Sequence, residues 1–168
     1  MPLAAKGEFA LVQQKLESAL DKPGQPVRRG TMAHDHHVYM LLTDAAAQQR
    51  DPAALARYAP QLEALAERDG HRLYAAIAAR AQGVAARLAG SYGAAATHLQ
   101  QALDIFTSLG TGWQRGRTLA ELAELAAAQG HPAEARGLYT EALAAFEALQ
   151  AQPDAERTRN ALAGIEQR

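Results

Sequence analysis

Three histidines and one aspartate crowd together in His34-Asp35-His36-His37, the densest run of imidazole and carboxylate in the chain. Such groups bind zinc or nickel when they can converge on one ion. On a helix His34 and His37 share a side while His36 points elsewhere, and no Glu or Asp stands at the four-residue offset that a metal-binding helix uses. The expectation is a solvated helix start that becomes positive at mildly acidic pH, with no metal.

Other chemistry is no better supplied. There is no Gly-rich phosphate cradle, no nucleophile elbow and no separated pair of acids, and none of the few Ser residues sits in a strand-to-helix turn. Cys is absent, which excludes disulfides, thiolate metal sites and cysteine nucleophiles. Trp113, the one Trp, opens a helix and reads as packing rather than as a ligand platform. We therefore expect no catalytic residues, no metal and no cofactor: a protein that is not an enzyme.

The elements that would carry any site are helices. Ala, Leu, Gln, Glu and Arg dominate, aromatics make up 5%, and strand-favouring Val and Ile are few. With 17 Lys plus Arg against 18 Asp plus Glu the formal charge is -1, so no broad positive field exists to hold a phosphate backbone, and nucleic acid is not an expected partner. No apolar run of signal-peptide or membrane-spanning length follows Met1 to Glu8, so no membrane association is expected and the chain is read as cytoplasmic.

A 40-residue repeat organises the chain. Gly90 to Gly110 aligned on Gly130 to Gln150 matches Gly90 with Gly130, Ala95 with Ala135, Ala102 with Ala142, Leu103 with Leu143, Phe106 with Phe146 and Leu109 with Leu149. Steps of three, four and seven put these matches on one helical face, so an apolar stripe is what repeats. The preceding helices match too, with Gln82, Gly83 and Ala86 over Leu122, Ala123 and Ala126. Gly70, Gly90, Gly110 and Gly130 recur every 20 residues, marking helix, turn, helix, turn.

An earlier unit is a looser copy, with Thr43 and Ala46 under Gly83 and Ala86, and Pro60 is expected to kink or fray its second helix. After Pro153 a last helix repeats Leu122-Ala123 as Leu162-Ala163 and reads as a cap, with Arg157 and Arg159 facing water. Glu8 to Asp21 forms one more helix, either a cap on the first unit or an arm through which two copies associate. The divisions are thus 1–30, a helix and Pro/Gly linker; helix pairs at 31–70, 71–110 and 111–150; and a capping helix at 151–168.

Gln82-Gly83, Ala86, Gly90, Ala95 and Ala102-Leu103, repeated as Leu122-Ala123, Ala126, Gly130, Ala135 and Ala142-Leu143, resemble the tetratricopeptide pattern. The period of 40 departs from that family's 34 and is similar to the arrays inside large bacterial transcriptional regulators and signalling ATPases. HEAT-type pairs share the period but lack these Gly and Ala positions. The resemblance implies an all-α solenoid of antiparallel helix pairs, a right-handed superhelix of about three repeats with capping helices.

Carrying the family's inward positions across residue by residue implies a groove lined by His37, Met40, Asp44 and Gln48, then Ile77, Arg80, Val84 and Arg87, then Arg117, Glu121 and Glu124. Arg80 and Arg87, seven apart, share a face and could grip a carboxylate or phosphate by paired hydrogen bonds. The alternative is that these charges pair with one another across the groove. The Lys and Asn set of chaperone-tail-binding members is missing.

Three functions follow. The first is a protein-interaction scaffold that holds a peptide or helix of a partner in the groove. The second is an array that senses a small ligand, for which Met40, Ile77 and Val84 beside Arg80 would suit an amphipathic acid. The third is a structural module that self-associates, as a homodimer, through its end faces.

Overall fold

From position 50 to position 150 the backbone passes through a left-handed residue every 20 positions, and that rhythm sets the architecture. Gly70, Gly90, Gly110 and Gly130 have φ of 64°, 75°, 66° and 79°, and Arg50 and Gln150 occupy the same slot at 55° and 54°. After each, an N–H donates back across the turn at 2.8–3.1 Å: Asp51 to the Ala46 carbonyl, His71 to Ala66, Ser91 to Ala86, Thr111 to Phe106, His131 to Ala126 and Ala151 to Phe146. These bonds satisfy carbonyls that a helix end leaves without donors, and the left-handed residue lets the chain fold back to make them.

A side chain strains that slot, and Gln150 is an exposed one. Gln150→Gly should relieve about 1–2 kcal/mol of left-handed strain and cost about 0.4–1 kcal/mol in unfolded-chain entropy. The expected net is a rise of about 1–4 °C in Tm. A fall in Tm would show that the side chain contributes something the turn geometry does not reveal.

The structure, a computed structural model, describes residues 7–20 and 32–166. They form α1 (Phe9–Leu20), α2 (Met32–Gln49), α3 (Pro52–Arg68), α4 (Arg72–Leu88), α5 (Tyr92–Ser108), α6 (Gly112–Ala128), α7 (Pro132–Ala148) and α8 (Gln152–Glu166), with no strand among the described residues. Pro52 and Pro132 sit in first turns, and the Asp51 carboxylate caps α3 by accepting from Ala53 and Ala54, both at 3.0 Å. α3 runs unbroken through Pro60 and does not fray there; Pro60 and Ala56 lie on the exposed side, where water can serve the Ala56 carbonyl that loses its helical donor.

Turns of two or three residues make successive helices from α2 to α8 antiparallel neighbours, and each helix of the chain packs on the next. α2 also lies against α4, and α4 meets α6 as α6 meets α8. The result is the expected all-α repeat array, with the pairs α2–α3, α4–α5 and α6–α7 flanked by α1 and α8.

The core runs through the stack as linked clusters. Leu42, Leu55, Tyr58 and Val84 form one, Leu62, Ile77 and Phe106 another, and Leu119, Ala142 and Phe146 a third. Fully burying each Leu, Ile, Val or Phe side chain among them contributes about 1.5–3 kcal/mol. Close approach is built into the pairs: a Cβ at Gly83 would lie 2.6 Å from Leu99 Cγ, and one at Gly116 2.9 Å from a Phe146 ring carbon.

α1 docks on the first unit, as the cap reading expects. Leu16 packs against the first cluster, Gln13 accepts from Gln49 Nε2 at 2.7 Å, and the Tyr58 hydroxyl donates to Glu17 at 2.5 Å. The start of α1 also meets the far end of the stack, where the Arg157 guanidinium of α8 lies 6.0 Å from the Phe9 ring. Asp21 and the linker after it lie outside the described residues.

Candidate functional site

The first helices of the units converge on one side. Asp44 of α2 accepts from Arg80 of α4 at 3.0 Å and from Arg117 of α6 at 2.6 Å, so α2 and α6 meet through side chains although a whole unit separates them in sequence. That contact requires a tightly curved stack with α2, α4 and α6 on its inner face.

Arg80 also donates to Gln114 Oε1 at 2.6 Å and sits over the Phe106 ring, while Arg117 sits over the Trp113 ring. Arg80 and Arg117 are 2% and 4% exposed. Burial, then the neighbouring Arg117 charge, push the Arg80 guanidinium down to about 10 against the opposing pull of Asp44 and Glu121. Burial alone would raise the Asp44 carboxyl, but the charges and hydrogen bonds of Arg117 and Arg80 hold it below its ordinary value.

A second belt lies beside the first. Arg50 reaches from the end of α2 to Glu121 at 2.7 Å and Glu124 at 2.5 Å, and Arg87 reaches the same carboxylates at 3.3 and 2.6 Å. Burial tends to lower the Arg50 pKa, and Glu121 and Glu124 more than reverse it, so the guanidinium is held above its ordinary value.

The expected groove is therefore mostly filled by its own side chains. Asp44, Arg80, Arg87, Arg117, Glu121 and Glu124 pair with one another, the second of the two readings above. Ile77 and Val84, expected to face a guest, belong to the core at 2% and 0% exposure, because each first helix is wedged between its neighbours as well as against its own partner. His37 is exposed, and Met40 and Gln48 are half-buried.

What stays open inside is a cavity of about 150 Å³ bounded by Gln48, Arg50, Glu124, Tyr139, Asp154 and Arg157. Tyr139 is 5% exposed and its side chain forms part of the cavity wall. Burial, then Glu124 and Glu121, raise its pKa, so the phenol stays protonated.

The wider opening is on the outer side, between the second helices. α5 and α7 form the walls and α6 the floor of a groove of about 810 Å³. Leu103, Leu119, Leu122, Leu125 and Leu138 supply its apolar lining, and Asp104, Glu134 and Glu141 stand on its rim with Arg115, which is bound to Glu141.

Forty residues earlier the corresponding groove between α3 and α5 has Glu63, Ala79, Gln82 and His98 where this one has Leu103, Leu119, Leu122 and Leu138. There Gln82 donates to Glu63 across the groove at 2.7 Å. At the first unit α1 and α3 are tied by Tyr58 and Glu17. The middle groove is thus bridged by polar side chains, the first keeps a smaller opening of about 310 Å³ beside Tyr39, Arg57, Tyr58 and Gln61, and the third, the widest, is lined with leucine. Those leucines were legible only as an apolar stripe; the signal of an open groove is their contrast with the preceding unit.

The histidine run is divided by the fold. His36 is not solvated but 3% exposed, with Nε2 2.9 Å from Asp69 Oδ2 and 3.2 Å from the Leu65 carbonyl, and its ring stacks on Tyr74 at 5.3 Å. The end of α3 in its own unit and Tyr74 of the second unit supply that cover, which no local periodicity could show. The side chains of His34 and Asp35 lie outside the described ones, and among the described residues no group of three or more His, Cys, Asp or Glu could hold a metal ion. Trp113 is 38% exposed and ties α6 to α8 by donating to Asp154 at 2.9 Å.

Among the described residues no helix is long and apolar enough to cross a membrane. No family model matches the sequence, and a search of curated proteins finds no match.

Proposed function

We propose that the chain is a helical-repeat scaffold of the tetratricopeptide type, without enzymatic activity, that acts in the cytoplasm by binding a segment of a partner protein. The observation that carries this reading is the leucine-lined groove between α5 and α7, an apolar floor of about 810 Å³ with a charged rim. Protein interfaces have that anatomy, and a stack of rigid helices preorganises it. The inner-face arginines serve the stack, so the guest belongs on the outer side rather than in the groove expected from sequence.

Photo-crosslinking tests this. A benzophenone amino acid at position 138 should capture one partner reproducibly in cells, while the same group at position 98, in the bridged groove, should not. Equal capture at both positions, or none at 138, would remove the assignment.

A second reading, sensing of a small ligand, has one observation in its favour: the nearly buried Tyr139 phenol on the wall of the inner cavity. A melting shift with a small molecule that Tyr139→Phe abolishes, alongside failed crosslinking, would favour it.

A further inference from the structure

Resting on the scaffold reading, we propose that the α5–α7 groove takes a partner's amphipathic α-helix with Lys or Arg on its flanks. The groove offers leucine faces and three rim carboxylates, Asp104, Glu134 and Glu141, against the Arg115 guanidinium, with a second, Arg72, hydrogen-bonded to Ser108 at one end. Three carboxylates against two guanidiniums leave a local excess of one negative charge around an apolar floor, and Arg72 stands only at the Ser108 end.

A helix is the conformation that suits it. Walls and floor are themselves helices, whose backbone groups are paired internally, so an extended segment would leave its own N–H and C=O groups facing leucine. A helical guest arrives with those groups satisfied and presents apolar residues at i, i+3, i+4 and i+7. The wall from Ala96 to Ser108 is roughly 18 Å long at 1.5 Å per residue, which accommodates about three turns of guest.

The rim selects the charge of the flanks. Asp104, Glu134 and Glu141 are exposed, so their field favours basic side chains and repels acidic ones, and salt weakens both effects. A second copy of the chain is a poor occupant. The large apolar side chains it exposes among the described residues are Leu11, Leu88, Leu109, Trp113 and Leu149, and no two of them share a face of one helix at the three- and four-residue steps a helical guest needs.

The test uses three labelled synthetic peptides of about five turns: one with leucines at alternating three- and four-residue steps and lysine flanks, one with glutamate flanks, and one with the leucines scrambled. Fluorescence anisotropy on the full chain at pH 8 and low salt should show the lysine peptide binding at least about ten-fold tighter than the other two.

Leu103→Glu with Leu122→Gln installs the pair that bridges the neighbouring groove and should weaken the lysine peptide by at least about ten-fold, the loss of two buried apolar contacts. Both leucines also pack against buried clusters, so melting should fall by several degrees while circular dichroism keeps its helical signature. Asp104→Lys with Glu134→Lys, at exposed positions, should move preference to the glutamate peptide.

Equal binding of lysine and glutamate peptides, sensitive to the Leu103/Leu122 variant, would overturn the charge rule and leave a helix-binding scaffold standing. Binding of no peptide, or binding that the groove variant leaves unchanged, would overturn the helix assignment. The crosslinking at position 138 would then decide the scaffold reading separately.

Discussion

Asp44→Asn is expected to lower the unfolding free energy by about 3–5 kcal/mol, the largest effect of any conservative change at a polar residue of this chain. The reason is the company Asp44 keeps. It is the carboxylate shared by Arg80 and Arg117, whose side chains are 3% and 4% exposed. Asn preserves the volume and can still accept a hydrogen bond, so what the variant removes is the charge. Two buried cations then face each other, and Arg80 already has its pKa pushed down to about 10 by burial and by Arg117.

Urea unfolding at neutral pH measures the effect. A loss below about 1 kcal/mol would place the pair among surface-type ion pairs and refute the argument. A triple variant, Asp44→Leu with Arg80→Met and Arg117→Met, separates charge from packing. It should recover most of the loss, because removing every member of a buried ionic group leaves no uncompensated charge.

The pH dependence follows from the same carboxyl. Its folded pKa is lower than its unfolded one, so its contribution is complete above the ordinary carboxylate value of about 3.9 and is lost as pH falls through the depressed value in the fold. The parent chain should lose stability through that acid window, and the Asn variant should lack this part of the loss.

These ion pairs also mark the boundary of what the residues disclose before folding. The helix ends were legible because each turn has a local chemical cause, a left-handed residue 20 positions from the last. Arg50 escaped notice because it occupies a glycine slot as an ordinary side chain. Its partners Glu121 and Glu124 are 71 and 74 residues away, brought within reach only by the curvature of the whole stack. His36 escaped for a related reason: helical spacing placed it off the face of His34 and His37, and the atoms that bury it belong to α3 and α4. Ile77 and Val84 were read as lining a trough, but first helices flanked by neighbours on both sides have two buried faces rather than one. Periodicity along one helix reports that a face is apolar and not what covers it.

The close packing of the pairs was legible from small residues alone, and it can be tested at its tightest point. Gly83→Ala should destabilise by about 2–3 kcal/mol, although Ala is the better helix former by about 1 kcal/mol. The added methyl would lie 2.6 Å from Leu99 Cγ, 2.8 Å from its Cδ2 and 3.3 Å from the Ala95 carbonyl oxygen. Leu99 is fully buried and Cγ is no flexible tip, so the side chain cannot swing clear. Relief would require α4 and α5 to separate, weakening a packed interface along its length.

Leu99→Ala alone should cost about 2–5 kcal/mol by opening a cavity. In the double variant the new methyl occupies part of that cavity, so the combined loss should fall short of the sum by at least about 1 kcal/mol. Additive losses would mean that α4 and α5 already shift to accept the methyl. The close approach at Gly83 would then reflect convenience rather than a constraint on the repeat.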